Sequence, residues 1–308
     1  MDRMVMTATP TAIPPRATAA APMIRVIPRL DIKGPNVVKG IHLEGLRVLG
    51  RPELFAPRYY QEGADELIYM DTVASLYGRN SLEDIVRRTA EQIFIPLTVG
   101  GGIRSVEDIR SILRAGADKV AINTAAIKDP TLIAEGAAAF GSQCIVLSVE
   151  ARRLPSGRYE CLTDNARETT GKDVVEWIHA AVALGAGEVL LTCVDQEGTG
   201  KGYDIALTRE IATAINVPVI AAGGAGCVEH VREVVVDGCA DAVSIASILH
   251  YHLLETMETA DYSEEGNTDF LQKKVPVTGR SGHQRRGLKP VSLTELKREL
   301  ASSGIGCR

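Results

Sequence analysis

From Ile24 onward, short apolar β-branched runs alternate with longer stretches in which apolar residues recur every three or four positions. Eight such runs stand out, at 25–33, 64–71, 96–102, 119–126, 144–152, 188–195, 218–225 and 242–250. Their near-continuous apolar character predicts strands covered on both faces, and the amphipathic stretches between them predict crossover helices. Ser105 with Asp108 three residues on predicts one helix start, and Gly304 closes a last helix begun by Ser292 and Glu295. Eight β/α units in one chain predict an α/β fold of the (β/α)8 TIM-barrel kind rather than an open doubly wound sheet.

The two halves echo each other. VGGGIRSVEDIRSILRAGADKVAINTAAI (99–127) lines up with AAGGAGCVEHVREVVVDGCADAVSIASIL (221–249), each reading as strand, glycine cluster, helix, turn and strand. A barrel duplicated from two half-barrels gives this offset. Two regions break the pattern. Residues 1–23 are rich in Ala, Thr and Pro and predict a disordered N-terminal tail, with Met23 a natural start for the barrel at 24–308. Residues 253–270 carry six acids and no base and 271–290 six bases and no acid, so 253–290 predicts a mobile charged insertion.

The chain has 308 residues, 34 of them basic and 39 acidic, for a net charge of −5. That balance and an aromatic content of 4% argue against a nucleic-acid surface. No apolar run reaches the length of a membrane span. The six cysteines include no CxxC pair, which predicts reduced thiols and a cytoplasmic protein.

Active sites of such barrels lie at the C-terminal ends of the strands. Two acids hold matching places there, Asp31 ending the first strand and Glu150 ending the fifth. Facing each other across a barrel, they suit general acid–base work on one substrate; taken singly, each also suits a strand-end ion pair. Glycine clusters follow the third and seventh strands, Gly100–Gly102 and Gly223, Gly224 and Gly226. Glycines at such turns let backbone N–H groups approach a phosphate. Polar residues end the fourth and eighth strands, Asn123 with Thr124 and Ala246 with Ser247. Two matching phosphate sites imply a substrate phosphorylated at both ends.

The strings RVIPRLDIK with VVKG, EGADELIYMD, FIPLTVGGGIRS, GADKVAIN, FGSQCIV, GAGEVLLT, GTGKGYD and PVIAAGGAG together resemble the cyclase subunit of imidazole glycerol-phosphate synthase, in histidine biosynthesis, or a divergent paralogue of it. The resemblance implies a lyase that closes an imidazole ring with ammonia, without metal or organic cofactor. It makes Asp31 and Glu150 catalytic, with Lys39 in a mobile first loop. It assigns phosphate contacts to Gly102, Asn123 and Thr124 at one end, and Gly198, Gly224 and Ser247 at the other. It implies a heterodimer with a glutamine amidotransferase that docks at the N-terminal face near Asp118, and an ammonia gate of Arg25, Glu66, Lys119 and Glu188. Three residues depart from the family pattern: Glu150 and Glu197 stand where aspartate is usual, and Arg29 where a small residue is usual. Two other readings fit the same chain: a paralogue delivering ammonia for amidination of a surface-polysaccharide sugar, and a non-catalytic barrel that activates its glutaminase.

Overall fold

The computed structural model describes residues 23–73, 82–256 and 287–308. Its order is β1 (Met23–Lys33), β2 (Asn36–Ile41), β3 (Glu44–Gly50), α1 (Pro52–Gln61), β4 (Leu67–Asp71), α2 (Glu83–Ala90), β5 (Leu97–Gly100), α3 (Val106–Ala115) and β6 (Lys119–Ile122). There follow α4 (Thr124–Lys128), α5 (Thr131–Phe140), β7 (Ile145–Arg153), β8 (Tyr159–Thr163), β9 (Glu168–Asp173), α6 (Val174–Ala183), β10 (Glu188–Cys193), α7 (Ile205–Ala214) and β11 (Val219–Ala222). Next come α8 (Val228–Val236), β12 (Ala242–Ile245), α9 (Ser247–Thr256), α10 (Leu293–Ser302) and β13 (Gly306–Cys307). Strands β1, β4, β5, β6, β7, β10, β11 and β12 pair in parallel in that order, and β12 returns to β1, closing the barrel. No helix among the described residues is long and apolar enough to cross a membrane.

Side-chain alternation along a strand divides the core in two. In β1, Ile24, Val26, Leu30 and Ile32 face out into the large cluster between sheet and helices. Ile27 faces in and packs with Ile68, Ala121, Val146, Leu190, Ile220 and Ala242 in a second cluster inside the barrel. Arg25, Arg29 and Asp31 share Ile27's inward phase, so one strand strings a cation, an apolar side chain, a second cation and an acid along the barrel axis.

All eight predicted strands form, but five stop earlier than their apolar runs: the third at Gly100, the fourth at Ile122, the sixth at Cys193, the seventh at Ala222 and the eighth at Ile245. In the fourth and eighth the reason is that Thr124 and Ser247 already begin helices. The predicted caps form as well. Ser105 Oγ accepts from Asp108 N–H at 3.1 Å, and Asp108 returns a carboxylate to Arg104 N–H. Ser292 Oγ accepts from Glu295 N–H, whereas Leu293 N–H goes to Glu62 at the end of α1. Gly304 follows α10 with φ +82°.

The stretch 253–290 needs narrower bounds at both ends. Residues 253–256 complete α9, with Leu253 buried. At the other end Leu288 packs against the core and Lys289 N–H donates to Gly226 O. The middle, 257–286, lies outside the described residues, as do 1–22. Met23, placed in the tail by its composition, begins β1.

Two hairpins were not anticipated. β2–β3 follows the first barrel strand and β8–β9 the fifth, at matching places in the two halves. Both carry turn residues of left-handed φ: His42 and Leu43 in one, Asp164, Asn165 and Ala166 in the other. The Thr-Asp-Asn sequence before an extended polar run was the available turn signal.

Candidate functional site at the barrel mouth

At the N-terminal end of the barrel, the four charges of the predicted gate form a closed ring. Arg25 reaches Glu66 at 2.8 Å and Glu188 at 2.5 Å, and Lys119 reaches the same two carboxylates at 3.0 and 2.9 Å. Each acid thus bridges two cations, the arrangement that offsets the cost of burying them. Burial opposes the charge on Arg25, but Glu188 and Glu66 outweigh it and hold its pKa above the ordinary value. The ring forms part of the wall of an open cavity of about 370 Å³. Beside it, Asp118 caps the Leu97 N–H at 2.8 Å and lines a second cavity with Phe94, which is 81% exposed.

Above the ring lies the apolar inner layer, with small hydroxyls in and over it. Thr98, Ser148, Thr192 and Ser244 are buried on inward positions of their strands; Thr98 pairs in register with Ile68 and Lys119, and Ser244 with Ile27, so both lie level with the apolar layer. Among the described residues, the hydroxyls of Thr98 and Ser244 have no hydrogen-bond partner. Arg29, 7% exposed, stands over this layer. Its Nε lies 2.8 Å from Asp31 Oδ1 and its Nη1 donates to Thr192 Oγ1 at 3.2 Å. In the sequence Arg29 stands out only as a departure from the family pattern; period-two spacing from Asp31 was the available signal for its inward side, and its pairing had none.

Among the described residues, two cavities lie at the C-terminal mouth. The larger, about 270 Å³, has Gly101, Gly102, Arg104, Asn123, Thr124 and Glu150 in its wall. Gly101 holds φ +97°, and a Cβ there would lie 2.4 Å from Asp71 O, so the close turn requires glycine. The smaller, about 20 Å³, is walled by Glu197, Gly198, Gly223, Gly224, Ser244 and Ser247. A Cβ on Gly224 would lie 2.0 Å from Gly202 O. The 198–202 loop therefore lies directly on the second glycine turn, and the two sites implied by the repeat are unequal in volume.

Of the predicted phosphate residues, Gly102, Asn123 and Thr124 gather at the larger cavity and Gly198, Gly224 and Ser247 at the smaller. Lys39 joins neither group. It lies in β2, 4% exposed, with its ammonium 2.5 Å from Glu197 Oε1 and 3.0 Å from Gly40 O. Burial works against the charge on Lys39, but Glu197 holds its pKa above the ordinary value. Burial likewise pushes Glu197 up, and Lys39 and Arg29 together hold it below the usual carboxylate range.

The two predicted acids sit differently. Glu150 lines the larger cavity, whereas Asp31, 3% exposed, lines neither and is held by Arg29. Burial drives the Glu150 pKa up to about 7, against the Ala166 N–H that donates to it at 2.7 Å and the Arg29 charge. A carboxyl whose pKa is raised toward neutrality, in a cleft and near a fixed cation, is equipped to give and take a proton.

The two hairpins meet above these groups. Asn165 Nδ2 donates to Leu43 O at 3.1 Å, and Leu43 packs with Leu162, Val194 and Ala166. Asp164 N–H donates to Thr124 Oγ1 and Asn123 Nδ2 to Leu162 O, so β8–β9 also braces the larger cavity.

The family model described as histidine biosynthesis protein matches residues 25–255. Over 207 residues the chain is 63% identical to the imidazole glycerol phosphate synthase subunit HisF of Legionella pneumophila, a match covering 67% of this chain and 98% of that protein.

Proposed function

The chain belongs to the histidine biosynthesis protein family, and from that premise we propose that it is the cyclase subunit of imidazole glycerol-phosphate synthase, a lyase. It takes ammonia and a bisphosphorylated ribulosyl-aminoimidazole carboxamide, and yields imidazole glycerol phosphate and aminoimidazole carboxamide ribotide. The observation that carries this reading is the 63% identity to such a subunit across nearly all of that protein's length. The mouth supports it: glycine turns wall two cavities on either side of an inward cation, with a carboxyl poised near neutrality in the larger.

In this reading Gly102, Asn123 and Thr124 hold one phosphate and Gly198, Gly224 and Ser247 the other. The narrow second site must widen to admit its phosphate, and release of Lys39 from Glu197 would supply both the room and a cation. Glu150 and Asp31 carry the proton transfers. The relative's name makes it one subunit of a synthase; for this chain the partner is a glutamine amidotransferase docked on the N-terminal face around Phe94, Asp118 and Lys119. Ammonia enters through the ring of Arg25, Glu66, Lys119 and Glu188 and crosses the apolar layer to the mouth. The protein works in the cytoplasm.

Purified protein, given the bisphosphorylated substrate and ammonium salts, should release imidazole glycerol phosphate and restore growth to a histidine-requiring strain lacking its own cyclase. A chain that binds the substrate but turns it over with neither ammonium nor a glutaminase partner acts on a different acceptor.

A further inference from the structure

We propose that Arg29 takes part in the addition of ammonia: its guanidinium meets the carbonyl oxygen of the ketose at the carbon under attack and holds the negative charge that develops there. The proposal rests on the cyclase reading and adds a charge-stabilising group to it.

Three observations carry it. Arg29 is, among the described residues, the only one in the wall of both mouth cavities. A substrate with a phosphate in each must lay its middle, where the reacting carbon is, across this side chain. Second, Arg29 stands at the upper end of the barrel interior, above Ile27 on the same strand face, where a nucleophile arriving through the apolar layer emerges. Third, its fork is fixed but not used up. Asp31 holds Nε and Thr192 holds Nη1, and a guanidinium has five N–H donors in all. A cation serving only to neutralise Asp31 would be enclosed with it, yet Asp31 lines neither cavity and Arg29 lines both.

The step balances with groups on the page. The nitrogen lone pair forms the N–C bond while the carbonyl π pair moves onto oxygen, where the guanidinium N–H groups receive it. The Glu150 carboxyl protonates that oxygen, and the resulting carboxylate takes a proton from the new C–N⁺ centre, leaving a carbinolamine. Nothing is oxidised or reduced. Burial raises the Glu150 pKa most; the Ala166 amide and Arg29 lower it, and Asp164 and Asp31 add to the rise.

The test is steady-state kinetics on the full chain with the bisphosphorylated ketose and ammonium salts. Arg29→Met should lower kcat by about a hundredfold or more while KM for the ketose moves less than about threefold, as for loss of a donor to a developing oxyanion. Arg29→Lys keeps the charge but not the fork, and should lose roughly tenfold in kcat. Arg29→Gly should recover activity with millimolar ethylguanidinium but not with equal sodium chloride, and this arm decides the matter where Arg29→Met fails to fold. A kcat for Arg29→Met within twofold of wild type, a loss confined to KM, or a folded Arg29→Gly without rescue overturns the role of Arg29 and leaves the cyclase reading standing. Wild type without turnover on this ketose overturns both.

Discussion

The backbone N–H of Ala166 reaches Glu150 Oε2 at 2.7 Å, tying the acid at the end of β7 to the tip of the β8–β9 hairpin. Aspartate at 150 would withdraw the carboxylate by roughly 1.5 Å, the length of one carbon–carbon bond, and lose this amide. The extra methylene therefore has a partner here: it spans the gap to a hairpin tip held by Thr124 and Leu43. Glu150→Asp should lower ammonium-dependent kcat by about ten- to a hundredfold, the usual effect of misplacing a reacting group by an ångström. Unchanged kcat would mean the hairpin contact is irrelevant to the chemistry.

Glu150 also makes a stability prediction with a definite sign. Its folded pKa, about 7, lies above its ordinary value, so the fold retains a proton that the unfolded chain releases. Stability from this site is undiminished below the unfolded pKa and falls as pH rises toward the folded one. Glu150→Gln keeps an acceptor for Ala166 but cannot ionise. Relative to wild type it should gain on the order of 2 kcal/mol between pH 4 and 8, solvent in the half-open cavity reducing the effect. Denaturant curves that stay parallel across this range would remove the burial cost assigned to the Glu150 charge, whatever the variant does to turnover.

Among the described residues, Asp31 is the only side-chain acid in direct contact with Arg29. Asp31→Asn should cut kcat by at least about a hundredfold, because it removes a carboxylate from the reaction and loosens the guanidinium. Substrate binding, measured by calorimetry, should change little, since Asp31 lines neither cavity. Weakened binding at normal kcat would make Asp31 a binding group instead.

His250 predicts acid sensitivity. It is fully buried in α9, its Nδ1 2.6 Å from the Tyr59 hydroxyl, and burial lowers its pKa to about 3. The unfolded histidine takes up a proton below its ordinary pKa of 6.5. Stability from the neutral ring is therefore complete above that pH and drains away as pH falls toward 3. His250→Leu should start from a lower stability at pH 7, with Tyr59 unpaired, and show a flatter decline between pH 6.5 and 4. An identical slope in equilibrium unfolding would acquit this residue.

Phe94 and Asp118 share one cavity wall on the N-terminal face, far along the barrel from Glu150. Phe94→Ala and Asp118→Asn should each reduce glutamine-dependent turnover with the partner at least about tenfold, the scale of a modest interface hot spot. Ammonium-dependent turnover should remain within about twofold of wild type. The asparagine is chosen because its amide oxygen can still accept from Leu97 N–H. Equal losses in both assays would mean that this face supports the fold rather than a partner.

Much of this protein is legible along the chain because it depends on local periodicity. The strands, the helices, the half-barrel repeat and the inward phase of Arg25, Arg29 and Asp31 follow from alternation within single elements. The family could be read from short strings for the same reason, since glycine turns such as Gly100–Gly102 must keep their residues to keep their backbone. What the sequence left open was decided by contacts between distant segments. Lys39 and Glu197 are 158 positions apart and meet only because the β2–β3 hairpin and the loop after β10 come together over one mouth. Asn165 and Leu43 join hairpins from opposite halves, and the Ala166 amide gives the longer acid a partner. The pKa of Glu150 likewise belongs to no segment, since burial in a closed barrel raises it and a cation from another strand restrains it. Sequence specifies which side of a strand a charge occupies; only the closed barrel brings eight such sides together and determines which charges touch.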